Sequence, residues 1–194
     1  MLVKCLVEDS INELLESTIQ KTYEGIISHP IFIKIQSKLT NSHGLHCYPN
    51  IRAYERLPSG IDNEFASLVK MEYNDMFHYI SISEEGYNNN KITLLEDDVY
   101  WNYDCYTQQQ INDFPELCYF THVLTHELQH AWQYDSPHEL IRYMHEEKRE
   151  VPNLDEHFYR TICEYDAEVE AMNKRREFLD YLLLLQGVSV DESI

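Results

Sequence analysis

Residues 126–130 read His-Glu-Leu-Gln-His, inside the stretch THELQHAW. Two histidines four apart stand one turn above each other on a single helical face, so both imidazoles can reach one ion. Glu127 projects beside that ion, where a carboxylate can take a proton from metal-bound water. So short a pattern also arises by chance, and its surroundings decide its weight. Asp113 and Glu116 make an Asp-x-x-Glu capping pair, and Pro115 suits a first helical turn that has spare N–H groups. Leu117, Phe120, Leu124, Leu128 and Ala131 follow at three- and four-residue steps, giving one apolar stripe with His126 and His130 at its edge. Asp135-Ser136-Pro137 stops the helix.

Two histidines do not make a zinc site; a third protein ligand is needed, with water completing the tetrahedron. A resemblance to the metzincins would put a glycine at 133 and a histidine at 136, but those positions hold Gln133 and Ser136. A second helical stretch offers Cys163-Glu164-Tyr165-Asp166-Ala167-Glu168. Glu164 and Glu168 are one turn apart, a like-charge pair that is mildly destabilising unless a cation sits between them. Ala167 is small enough to let the two helices approach closely. Asp166 is an alternative ligand, and Cys163 is expected in the core.

His126, Glu127, His130, Glu164, Ala167 and Glu168 together resemble the gluzincin metallopeptidases, in which H-E-x-x-H on one helix is followed by E-x-x-A-D/E on a second. The resemblance covers residues 113–172 at most. It implies Zn2+ held by His126, His130 and Glu164, Glu127 as general base, and Glu168 as the carboxylate that orients a histidine ligand. It further implies a peptide-cleaving hydrolase of zincin-like α+β fold. In that fold a small, mostly antiparallel sheet packs on the active-site helix, with a helical C-terminal part. The family's transition-state histidine has no clear counterpart, and Tyr134, His138 and His145 are the candidates for that role.

The chain's 194 residues suit one domain, with a helix-and-sheet part over 1–112, metal-binding helices over 113–187 and a tail over 188–194. Its 15 basic and 34 acidic residues give a net charge of −19, which argues against nucleic acid or an anionic membrane as partner. The same acidity admits a competing class, an interaction protein that mimics DNA. A catalytically silent binding or regulatory protein on the zincin fold is another. The opening MLVKCLVEDS is broken by Lys4 and is no secretory signal, and no apolar run approaches the ~20 residues of a membrane span. Five scattered cysteines without C-x-x-C spacing fit reduced thiols, so a cytoplasmic setting is expected.

Elsewhere, Ser10 and Glu13 read as the capping box of a helix over 10–24 that ends at Gly25. IFIKIQSKL after Pro30 fits a short helix or an edge strand by its periodicity and is read as the helix, and the polar segment 41–47, with His43, His46 and Cys47, as turn-like. Strands are expected at 45–48, 66–73, 77–83 and 91–95, the last two forming a hairpin whose outer strand could pair with an extended peptide. Residues 97–112 are read as a loop, 136–147 as a short helix and 148–152 as a linker. A long helix is expected from 153 until Gly187. Its length suggests that it bends or that its far end meets a partner or a second copy of the chain.

Overall fold

A computed structural model of the chain describes residues 2–7, 11–36, 44–47, 63–73, 76–84, 106–135, 156–185 and 187–188. The elements are β1 (Val3–Leu6), α1 (Asn12–Tyr23), β2 (Ile31–Gln36), β3 (Gly44–Cys47), α2 (Asn63–Tyr73), β4 (His78–Ser83), α3 (Gln108–Asp113), α4 (Pro115–Asp135) and α5 (Glu156–Leu185). Helices and strands are mixed, as expected, but the sheet is not mostly antiparallel. Its order is β1-β2-β4-β3, with β1 parallel to β2, β2 parallel to β4, and only β3 antiparallel, on β4. The connection β1–α1–β2 is a crossover between adjacent parallel strands, which a helix of this length supplies. No zincin arrangement is evident among these elements.

The sheet is covered on both faces. Ile31, Ile33, Ile80 and Ile82 point to one side, where they meet Leu15, Ile19 and Tyr23 of α1, Phe120, Val123, Leu124 and Leu128 of α4, and Phe178 and Leu182 of α5. Phe32 and Tyr79 point to the other side and pack with Phe65 and Val69 of α2 and with Phe77. Double-sided burial explains why β2 was expected to be a helix. Ile31, Phe32 and Ile33 are all fully buried, so the first half of the strand is an apolar run without alternation, and only Lys34 and Gln36 mark a two-residue period. The stretch 66–73, expected as a strand, belongs to α2: Phe65 and Val69 are buried at helical spacing while Met71 is exposed.

Helix boundaries differ from the expected caps. The residue preceding α1 is Ile11, which makes no side-chain cap; Asn12 Oδ1 instead accepts the Val7 N–H, closing the turn from β1. Ser10 lies outside the described residues. Part of the expected loop 97–112 is α3, opened by a reciprocal capping box between Thr107 and Gln110. Asp113 therefore ends α3 rather than capping α4. The first carbonyl of α4 comes from Phe114, which accepts the Cys118 N–H at 3.0 Å, and Pro115 occupies the first turn as expected. The expected segments 91–95, 136–147 and 148–152 lie outside the described residues.

The far end of α5 is covered within the chain. Phe178 and Leu182 join the main core, and Leu179 and Leu183 pack with Tyr106 and Cys118. Nearer the start of α5, Ala167 and Ala171 are fully buried, and small side chains there allow the close packing of α5 along α4. Cys5 and Cys118 are buried and unbridged. Among the described residues no helix is long and apolar enough to cross a membrane.

Ile80 lies at the centre of this packing on β4 and is fully buried. Ile80→Ala is expected to destabilise the fold by about 2–5 kcal/mol, through lost transfer energy and a residual cavity, measured as a lower urea midpoint at unchanged slope.

Candidate metal centre

Helix α4 is buried along most of its length, including polar positions. Thr121, His122, Thr125, His126, Gln129 and Gln133 recur at three- and four-residue steps, and none is more than 6 % exposed. The threonines return their hydroxyls to the helix: Thr121 Oγ1 donates to Leu117 O and Thr125 Oγ1 to Thr121 O, each at 2.8 Å. Thr125 Oγ1 also accepts from Nε of the fully buried Arg175 on α5, at 3.2 Å.

Within this polar stripe, His126 and His130 converge as their spacing predicts. Their Nε2 atoms are 3.1 Å apart, with ring centroids 4.8 Å apart and the planes near perpendicular. A tetrahedral ion with bonds of ~2.0–2.1 Å holds neighbouring ligand atoms ~3.3 Å apart, so the two nitrogens already stand at chelating separation. Glu127, between them in sequence, is only 6 % exposed.

The outer side of His130 is fixed by a chain of hydrogen bonds that sequence reasoning missed. Gln133 Nε2 donates to Asp166 Oδ2 at 2.7 Å, which leaves Gln133 Oε1 to accept from His130 Nδ1 at 2.8 Å. With the proton held on Nδ1, the lone pair of a neutral His130 lies on Nε2, the atom that faces His126. Asp166 thus bonds to the amide that orients the ring. Gln133 lies three residues after His130, a neighbouring position on the helix surface, and that spacing was the available signal. Glu164 and Glu168 belong to α5, but their side chains are outside the described residues, as are His138 and His145 entirely.

Tyr134, a candidate transition-state donor, packs in T-shaped contact with His29 and His78, with centroids 6.2 and 5.8 Å away. Those two histidines surround Asp135, the last residue of α4. Asp135 Oδ1 is 2.6 Å from His29 Nδ1, and Oδ2 is 3.1 Å from His78 Nε2. Oδ2 also accepts the backbone N–H groups of Ser28 and His29, at 2.7 and 2.9 Å. Burial works to raise the Asp135 carboxyl, but hydrogen bonds from His29 and His78 and the nearby imidazole charge outweigh it and hold the group well below the usual carboxylate range. Burial lowers His78 from its ordinary value, partly offset by Asp135.

The chain matches no protein-family model, no curated protein and no solved structure.

Two predictions follow from these bonds. Gln133→Leu is expected to weaken metal binding about 10–100-fold while far-UV circular dichroism stays unchanged, read by competition with a chromophoric chelator. For the second, both shifts at Asp135 and His78 are downward, so the unfolded chain binds more protons in acid than the folded one. The stability contributed by His78 is present above its unfolded value near ~6.5 and is lost below it; that of Asp135 is lost as the pH falls below ~3.9. Urea midpoints taken with chelator from neutral pH downward are expected to decline through both windows, and Asp135→Asn is expected to flatten the lower one.

Proposed function

We propose that the chain is a zinc-dependent hydrolase acting on peptide bonds, with His126 and His130 as two metal ligands and Glu127 as the general base. The observation that carries this reading is the pair of Nε2 atoms 3.1 Å apart, one of them held in the ligating tautomer through Gln133 and Asp166. An imidazole pair at this separation, His126 buried and His130 half-buried, suits a borderline-soft ion such as Zn2+ better than Mg2+ or Ca2+, which take oxygen ligands.

Glu164 is the third ligand in this proposal. It precedes Ala167 by three residues and Ala171 by seven on α5, spacings that return to one face of a helix. Two imidazoles and one carboxylate would leave a divalent ion one net positive charge and one open position. When bound, zinc would polarise the scissile carbonyl and acidify a water. Glu127 takes the proton from the attacking water and delivers it to the leaving nitrogen, so one carboxylate serves both halves of the reaction. Near-complete burial of Glu127 favours such proton transfer, because bulk water does not compete for the carboxylate. Glu168 keeps its proposed role of orienting a ligand.

Glu127→Gln is expected to reduce turnover of a peptide substrate by about 10²–10⁴-fold while one equivalent of zinc still binds at the His126–His130 pair. Glu164→Ala is expected to lower zinc affinity as well. Full activity in Glu127→Gln would remove the general base from the scheme. Zinc binding at this pair without any cleavage by the wild type would instead favour the silent binding protein.

A further inference from the structure

The grouping of His29, His78 and Asp135 plays no part in that chemistry. These residues come from three separate places: the turn before β2, the first position of β4 and the last position of α4. They are the one set of three His, Cys, Asp or Glu side chains, among the described residues, whose ligand atoms all lie within 4.8 Å of one another. We propose that His29, His78 and Asp135 form a second metal site, for a first-row divalent transition ion, which fastens the C-terminal end of α4 to the leading ends of β2 and β4.

The donor set selects the class of ion. Two imidazole nitrogens and one carboxylate suit zinc, iron(II), cobalt or nickel, whereas calcium and magnesium require mostly oxygen. The carboxylate is already oriented, because Oδ2 receives two backbone N–H groups while Oδ1 faces the His29 ring. Such support for a ligand is what a tight site requires. The site is closed on the inside and open on one flank: the side chains of His78 and Asp135 are fully buried, and that of His29 is 22 % exposed. Tyr134 packs at a steep angle to both imidazoles, 67° to His29 and 82° to His78. His29 Nδ1 and His78 Nε2 stand 2.6 and 3.1 Å from the two Asp135 oxygens, so reaching the ~3.3 Å edge of a tetrahedral ion needs only a modest swing of His29, the one ring of the two that is partly exposed. Water would complete the coordination at the exposed flank.

The measurement is a cobalt(II) titration of the full chain, following the visible absorption of the bound ion and the number of equivalents taken up, for wild type and His29→Ala. His29 is partly exposed, so its truncation is compatible with folding; His78→Gln, which keeps a polar side chain of similar length, serves as the second variant. Wild type is expected to bind two equivalents and each variant one, with the remaining ion lost on further replacing His126 and His130 by Ala. If wild type binds one equivalent and His29→Ala none, the second site stands and the proposed zinc site of α4 falls. If His29→Ala and His78→Gln bind as many equivalents as wild type, or wild type binds none, the second site is refuted. In the His126→Ala/His130→Ala background, cobalt is expected to raise the thermal midpoint by several degrees, and His29→Ala to abolish the rise.

Discussion

Burial of the polar face of α4 is the constraint on which the rest of the architecture depends. A buried donor or acceptor left without a partner costs about 1–3 kcal/mol, so a helix that carries threonines, glutamines and histidines inward must be met by matching groups. Thr121 and Thr125 answer part of the demand within the helix, and Arg175 and Asp166 of α5 answer more. These bonds also set the rotation of α4. Turning it by one residue would carry Phe120, Leu124 and Leu128 away from the sheet and place polar groups against Ile31, Ile33 and Ile80. The apolar and polar stripes therefore enforce one orientation together, and that orientation brings Gln133 and Thr125 to Asp166 and Arg175 of α5.

The ends of α4 are held as firmly as its middle. Near the start, the Tyr106 hydroxyl lies 2.8 Å from Thr121 Oγ1, and α3 packs alongside. At the far end Asp135 grips the backbone of Ser28 and His29 and the rings of His29 and His78. A negative charge at a helix C-terminus opposes the helix dipole, and imidazole and backbone N–H donors offset that cost here. The consequence for function is preorganisation: the imidazole pair sits on a helix whose axial position and rotation are both fixed, so little rearrangement is needed to meet an ion.

How much was legible varied with the kind of burial. Helices α1, α4 and α5 have one apolar stripe against a polar background, and a 3.6-residue period records that asymmetry in the sequence. The central strand β2 buries Ile31, Phe32 and Ile33 toward both layers, and the alternation left at Lys34 and Gln36 is too short to separate a strand from a helix. Helix α2 misled in the opposite sense, because only Phe65 and Val69 are deeply buried and the intervening residues mimic a half-buried strand. Strand β1 passed unrecognised within a segment weighed only as a possible export signal. The parallel sheet could not be deduced from a list of expected strands that lacked both of its first two members.

For the site, the sequence alone settled the spacing of His126, Glu127 and His130, because four residues on an α-helix return to the same face whatever surrounds them. It also marked α5 as a long helix with a small residue at Ala167. The tertiary structure alone decided which side chain holds His130 and where Tyr134 points. It alone gathered His29, His78 and Asp135, of which His29 and Asp135 are 106 positions apart. Local geometry follows from backbone dihedrals and is written in short spacings. Contacts across such distances depend on how layers pack, which no short stretch of the chain encodes.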